Sequence, residues 1–138
     1  SGTEHLIVDA LRQSDALAVS LVAEIDSLIV GHIAMSPVTV SDDSQGWFGL
    51  GPVSVLPSEQ KKGIGSQLVE AALESVKRLG GNGCVLLGSP KYYSRFGFRR
   101  SVDLLYPDAP AEHFQFIRFG AVEASGTVCF HPAFGSEG

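Results

Sequence analysis

The sequence predicts a single mixed α/β (α+β) domain, in which antiparallel strands lead into one right-handed β-α-β crossover. Three observations carry that expectation. Two apolar runs, residues 17–25 and 28–37, are separated only by Asp26-Ser27, which is the spacing of a hairpin. Residues 47–56, a glycine loop, an amphipathic stretch from Ile64 and the apolar run 84–87 read as strand, loop, helix and parallel strand. The chain has 138 residues, 44% hydrophobic and 18% charged, enough for one sizeable core.

The elements follow in order. Thr3 is an N-cap residue, and Leu6, Ile7, Ala10 and Leu11 recur on one side of an expected short helix. The hairpin comes next, and residues 38–44 lead into a polar loop. The strand 47–56 delivers the chain to the glycine loop. From there Ile64, Leu68, Ala72, Val76 and Leu79 recur at helical spacing. Gly80-Gly81-Asn82-Gly83 terminates that helix. Cys84-Val85-Leu86-Leu87 is apolar throughout, as a strand buried on both faces requires. Pro90 suits a helix start and Gly97 a helix end. Weaker strands are expected at 114–119 and 127–130, with a loop at 107–110 between Phe98 and the first of them. There is no internal repeat.

Gln60-Lys61-Lys62-Gly63-Ile64-Gly65-Ser66 is the stretch that carries chemistry. Gly63 and Gly65 let backbone approach a ligand, and the helix that follows offers free N–H groups and a positive dipole end. A diphosphate suits such a loop. A Walker loop would need lysine directly after the second glycine, where Ser66 stands. A dinucleotide fingerprint would need a third glycine, where Leu68 stands, and an acid after the next strand, which ends in Leu86-Leu87-Gly88. The pattern Q/R-x-x-G-x-G/A is met at every defined position. In that pattern the stretch resembles the acetyl-coenzyme A loop of the GNAT N-acetyltransferase superfamily. Pro90-Lys91-Tyr92-Tyr93-Ser94-Arg95-Phe96-Gly97-Phe98 resembles the superfamily's Y-x-x-x-G-F segment. Gly31-His32-Ile33-Ala34-Met35-Ser36-Pro37-Val38, Gly49-Leu50-Gly51-Pro52-Val53-Ser54-Val55, Leu87-Gly88-Ser89-Pro90 and His131-Pro132-Ala133-Phe134 are similar to its YhbS-like branch.

The resemblance implies a GNAT fold: a mixed, mostly antiparallel central sheet with a splayed parallel strand pair, flanked by helices. It implies that the family's opening strand and helix are missing from this chain. Acetyl-CoA would be the co-substrate, with its arm in the splayed gap. Val53 and Val55 would offer backbone to the acetyl and pantetheine groups. Gln60, Lys61, Lys62, Gly63, Ile64, Gly65 and Ser66 would wrap the diphosphate. Tyr93 would face the thioester sulfur and protonate the departing thiolate, with Tyr92 as the fallback. For the side chains of Lys61 and Lys62, a solvated basic turn is the other reading.

The general base stays open among Glu24, His32 and Asp43. His5, His113 and His131 lack metal spacing, so no metal is expected. No G-x-S-x-G elbow is present, against a serine hydrolase. Net charge −5 lacks the basic footprint of a nucleic-acid binder. No apolar run approaches the ~20 residues of a spanning helix, so no membrane is expected. Two cysteines, Cys84 and Cys129, make no disulfide framework, which favours the cytoplasm. The expected function is acetyl transfer to a primary amine of a small molecule or peptide, by a monomer or homodimer. A non-catalytic acyl-CoA-binding module is the alternative, and a nucleotide-binding domain a weaker third.

Overall fold

The computed structural model describes residues 6–13 and 19–130. Strand β1 (Leu6–Gln13) pairs antiparallel with β2 (Val19–Ile25), and β2 with β3 (Leu28–Val40). The β2–β3 turn is Asp26-Ser27, with φ of 52° and 69°, and Ile25 faces Leu28 across it. Two positive φ values give the turn twist that a two-residue hairpin needs. The helix expected from Thr3 is corrected here: Leu6–Gln13 is a strand, and Thr3 itself lies outside the described residues. The physical reason is that the outer edge of β2 offers a ladder of backbone partners, whereas a helix this short is marginal by itself. The adjacent β-branched Ile7 and Val8 also favour a strand.

β3 runs three residues past the expected end at Pro37. It changes partner there: Pro37 faces Phe48 of β4 (Trp47–Val55), while Val38–Val40 pair with β8 (Gly126–Phe130). Helix α1 (Ile64–Arg78) is capped by Leu79 and followed by Gly80, with φ of 80°. β5 (Gly83–Leu87) then lies parallel to β4 and antiparallel to β7 (Phe114–Arg118). A short helix α2 (Pro90–Tyr93) continues into a 3-10 turn (Ser94–Phe96) that stops at Gly97, with φ of 97°. The two-residue β6 (Leu104–Leu105), absent from the sequence expectation, pairs with β8. The strand order is β1-β2-β3-β4-β5-β7, with β6 and β8 attached through β3.

The sheet separates two apolar clusters. On one face α1 buries Ile64, Leu68, Val69, Ala72, Leu73 and Val76 against Ile33, Met35, Leu50, Cys84 and Leu86. Leu79, expected on that stripe, is instead exposed, because the helix has ended at Arg78. Gly31 sets how closely α1 sits on the sheet. A Cβ there would lie 3.0 Å from Leu68 Cδ1 and 3.3 Å from Ile64 Cγ2. On the other face Val38, Val40, Trp47, Val85, Leu104, Phe114 and Val128 pack together. Cys84 is buried, and burial pushes its thiol pKa up, so it acts as a small inert hydrophobe. No described helix is long and apolar enough to cross a membrane.

Candidate functional site

The site begins where two parallel strands part. β4 and β5 pair only at Trp47–Gly83, Phe48–Cys84 and Gly49–Val85. Beyond Gly49 β4 continues to Val55 with β3 on one side and no strand on the other among the described residues. Leu56 N donates to Val30 O at 2.8 Å, so Leu56 points its backbone at β3. Backbone groups alternate sides along a strand. Ser54 therefore shares that direction, and Val53 and Val55 turn their N–H and C=O groups toward the open gap. The Val55 carbonyl on this edge accepts from Gln60 Nε2 at 3.0 Å. Gln60 thus locks the loop to the end of β4 with its side chain.

The loop then turns through left-handed backbone at Lys61 (φ 67°) and Gly63 (φ 85°). Gly63 is the N-cap of α1 and has no side chain to cap it. The first bond of the helix runs from Gln67 N to Gly63 O at 3.1 Å. The N–H groups of Ile64, Gly65 and Ser66 consequently have no acceptor within the helix. They open onto a cavity of about 460 Å³ lined by Val55, Glu59, Gln60, Lys61, Gly63, Ile64, Gly65, Ser66, Tyr92 and Arg95. A Cβ on Gly65 would point at this cavity, 3.6 Å from Tyr92 Oη and 3.9 Å from Val55 Cγ2. Lys62 does not line it; its Nζ lies 3.0 Å from Glu59 Oε1, which offsets the one acidic side chain of the wall.

The adjacent tyrosines of α2 diverge. Tyr92 faces the cavity, with its Oη 3.2 Å from Ser66 Oγ. Arg95, one turn on, donates from Nε to Tyr92 O at 2.8 Å, and its guanidinium lies 4.3 Å from the Tyr92 ring centroid. Tyr93 turns inward against the α1 cluster, near Phe96 and Phe98. Gly88 exists for this ring: a Cβ there would lie 2.5 Å from Tyr93 Cε2. Burial, and secondarily Tyr92, raise the Tyr93 pKa above the ordinary tyrosine value. The structure thus brings Val55, Gln60, Lys61, Gly63, Ile64, Gly65 and Ser66 together around one cavity, with Val53 on the same strand edge. Tyr93 stands behind Tyr92. Sequence reasoning passed over Arg95, whose signal was its helical i,i+3 spacing from Tyr92.

None of the three base candidates lines this cavity. His32 lines a separate cavity of about 200 Å³ with Ser54 and Val55. Asp43 forms a turn with φ of 66°, and Glu24 faces Ile29 near the β2–β3 turn. A larger cavity of about 590 Å³, around Val102, Leu104, Tyr106 and Phe114, belongs with the cluster on the opposite face and contains none of the expected site residues.

The chain is similar in sequence and in fold to known proteins. The model of the acetyltransferase (GNAT) domain matches residues 17–100. The uncharacterised N-acetyltransferase YhbS of Escherichia coli K12 is 37% identical over 99 residues, 71% of this chain and 59% of its own length. YjhQ of the same strain, also described as an uncharacterised N-acetyltransferase, is 33% identical over 115 residues, 78% of this chain and 64% of its own. The chain spans about three fifths of these curated relatives, 59% and 64%. A GNAT family acetyltransferase from Brucella melitensis, solved in complex with acetyl-CoA, is 46% identical with a TM-score of 0.71, over 84% of this chain and 68% of that one. E. coli YhbS in complex with CoA has a TM-score of 0.78 at 32% identity, with the same coverage of 84% and 68%.

Proposed function

This chain belongs to the GNAT acetyltransferase family, and from that premise we propose that it transfers an acetyl group from acetyl-CoA to a primary amine of a small molecule or peptide. One observation carries the reading: an unpaired strand edge at Val53 and Val55 leads directly into a cavity floored by a helix N-terminus. An acyl-CoA matches both parts. Its diphosphate suits the N–H groups of Ile64, Gly65 and Ser66, and the amides of its arm suit the open edge. The similar acetyltransferases solved with acetyl-CoA or CoA support the same substrate.

The chemistry is direct. A neutral amine attacks the acetyl carbonyl carbon and the C=O π bond opens to an oxyanion. A backbone N–H of the Val53–Val55 edge meets that charge where it develops. The intermediate collapses, the C–S bond breaks, and the thiolate takes the proton of Tyr93. The amine proton leaves to water or a base; among the candidates His32 sits nearest the strand, sharing the cavity wall with Val55. A tyrosine with its ordinary pKa of ~10 already holds its proton at neutral pH, and burial raises that value further, so Tyr93 is in the protonated form that a general acid requires.

The test is a titration with acetyl-CoA, with ATP and NAD as controls, followed by thiol release across a panel of amines. Acetyl-CoA binding with amine-dependent release is the expected result. Binding without release by any amine leaves the acyl-CoA-binding module in its place. Tight ATP or NAD binding in place of acetyl-CoA overturns the assignment.

A further inference from the structure

We propose that Tyr92 and Arg95 form the second wall of the anion site and that the Arg95 guanidinium binds the diphosphate of the acyl-CoA opposite the N-terminus of α1. The inference rests on the acyl-CoA reading above and adds two residues to it. Tyr92 reaches across the cavity: its hydroxyl contacts Ser66 in the first turn of α1 and stands over Gly65. The Tyr92 ring and carbonyl then hold Arg95 at two points, by stacking at 4.3 Å and by the 2.8 Å bond from Nε. A guanidinium stacked on an aromatic ring with its Nε occupied is pre-organised, and little freedom remains to be lost on binding an anion. Its two terminal nitrogens have no protein partner among the described residues, and Arg95 lines the same cavity as Lys61, Gly63 and Ser66. The one carboxylate of that wall, Glu59, is held by Lys62 at 3.0 Å. A guanidinium held at two points and free helix N–H groups on one cavity supply donors for the two sides of a diphosphate.

This divides the labour of two neighbours. Tyr92 binds and positions, and Tyr93 carries the proton. The experiment compares the full wild-type chain with Arg95→Gln, titrating coenzyme A and 3′-dephospho-coenzyme A. Both carry the diphosphate; only the first carries the 3′-phosphate. Arg95→Gln is expected to weaken both ligands by the same factor, ~10- to 100-fold at low salt. In turnover it raises KM for acetyl-CoA and leaves kcat within a few-fold. Tyr92→Leu, which removes the stack, follows Arg95→Gln, while Tyr92→Phe keeps most of the affinity. Where Arg95→Gln is poorly folded, Arg95→Lys serves: it keeps the charge, loses the planar stack and gives an intermediate loss. Unchanged affinity in a folded Arg95 variant overturns the proposal, and so does a loss confined to the ligand with the 3′-phosphate. A wild-type chain that binds neither ligand overturns the acyl-CoA reading itself.

Discussion

Tyr93 shows how one side chain links packing to chemistry. Its ring packs half-buried against the α1 cluster, beside Gly88 and Phe98, and burial is the larger cause of its raised pKa. Tyr93→Phe is expected to lower kcat by ~10²- to 10⁴-fold, with coenzyme A affinity retained, by steady-state kinetics and calorimetry. The sign of the pH effect follows from the raised value. The folded chain keeps a proton that an unfolded tyrosine, with a pKa of ~10, releases sooner. Stability from Tyr93 is therefore complete below pH ~10 and is lost as pH rises through its folded value. Thermal unfolding between pH ~9 and ~11 should fall more steeply for the wild type than for Tyr93→Phe. Gly65 supplies a cleaner separation of fold from function. Its missing side chain points at the cavity with only ordinary contacts, and an acid in a helix's first turn suits the dipole. Gly65→Glu should keep the melting temperature of the wild type and lose coenzyme A binding. A retained affinity would sink the loop assignment.

At the scale of elements, α1 is both the largest contributor to one core and the floor of the site. Leu68 is fully buried between α1 and the sheet. Leu68→Ala should cost ~2–5 kcal/mol in denaturant unfolding through the cavity it leaves. Leu79→Ala, one residue beyond the helix and exposed, should stay within ~0.5 kcal/mol. Gly31→Val tests the coupling between packing and binding. The added side chain collides with Leu68 and Ile64 and forces α1 off β3. The expected loss is ~1–3 kcal/mol, with coenzyme A affinity falling because the N-terminus of α1 shifts away from the end of β4. The parting of β4 and β5 is the complementary device: three residue pairs hold the strands together, and beyond them the Val53–Val55 edge of β4 has no strand beside it among the described residues.

Over the whole molecule the two faces of the sheet are unequal. One carries α1, α2 and the cavity at the N-terminus of α1; the other carries the cluster around Trp47, Phe114 and Val128. A ligand bound at the first face joins the consecutive β4, loop and α1 to α2, which follows after β5. Binding to the folded state alone adds RT ln(1 + [L]/Kd), ~2.7 kcal/mol at a hundredfold excess over Kd. A domain of this size should then melt higher by roughly 10 °C with acetyl-CoA and not with ATP or NAD, by scanning calorimetry. An equal shift with all three would mean that the cavity reads phosphate and nothing else.

Much of this was legible in the residues themselves, because the signals were local. The Asp26-Ser27 turn, the Ile64-to-Val76 stripe, the glycines after α1 and the Gln60–Ser66 spacing each fall within a few turns of chain, where periodicity and turn chemistry suffice. Other features depended on what the rest of the molecule offers. Leu6–Gln13 carries a helical pattern but lies as a strand, because β2 presents an unpaired edge. β3 outruns Pro37 because β8, some ninety residues later, is there to pair with Val38–Val40. The different surroundings of the two tyrosines also needed the fold. In sequence they are neighbours with the same chemistry; only the path of α2 past α1 turns Tyr92 to Ser66 and Tyr93 into the core. The sequence alone determined the loop, its helix and the family they resemble, since those rest on short-range backbone geometry. The tertiary structure decided which side chains share the cavity, because that depends on contacts between segments about thirty residues apart, Gln60 to Ser66 on one side and Tyr92 to Arg95 on the other.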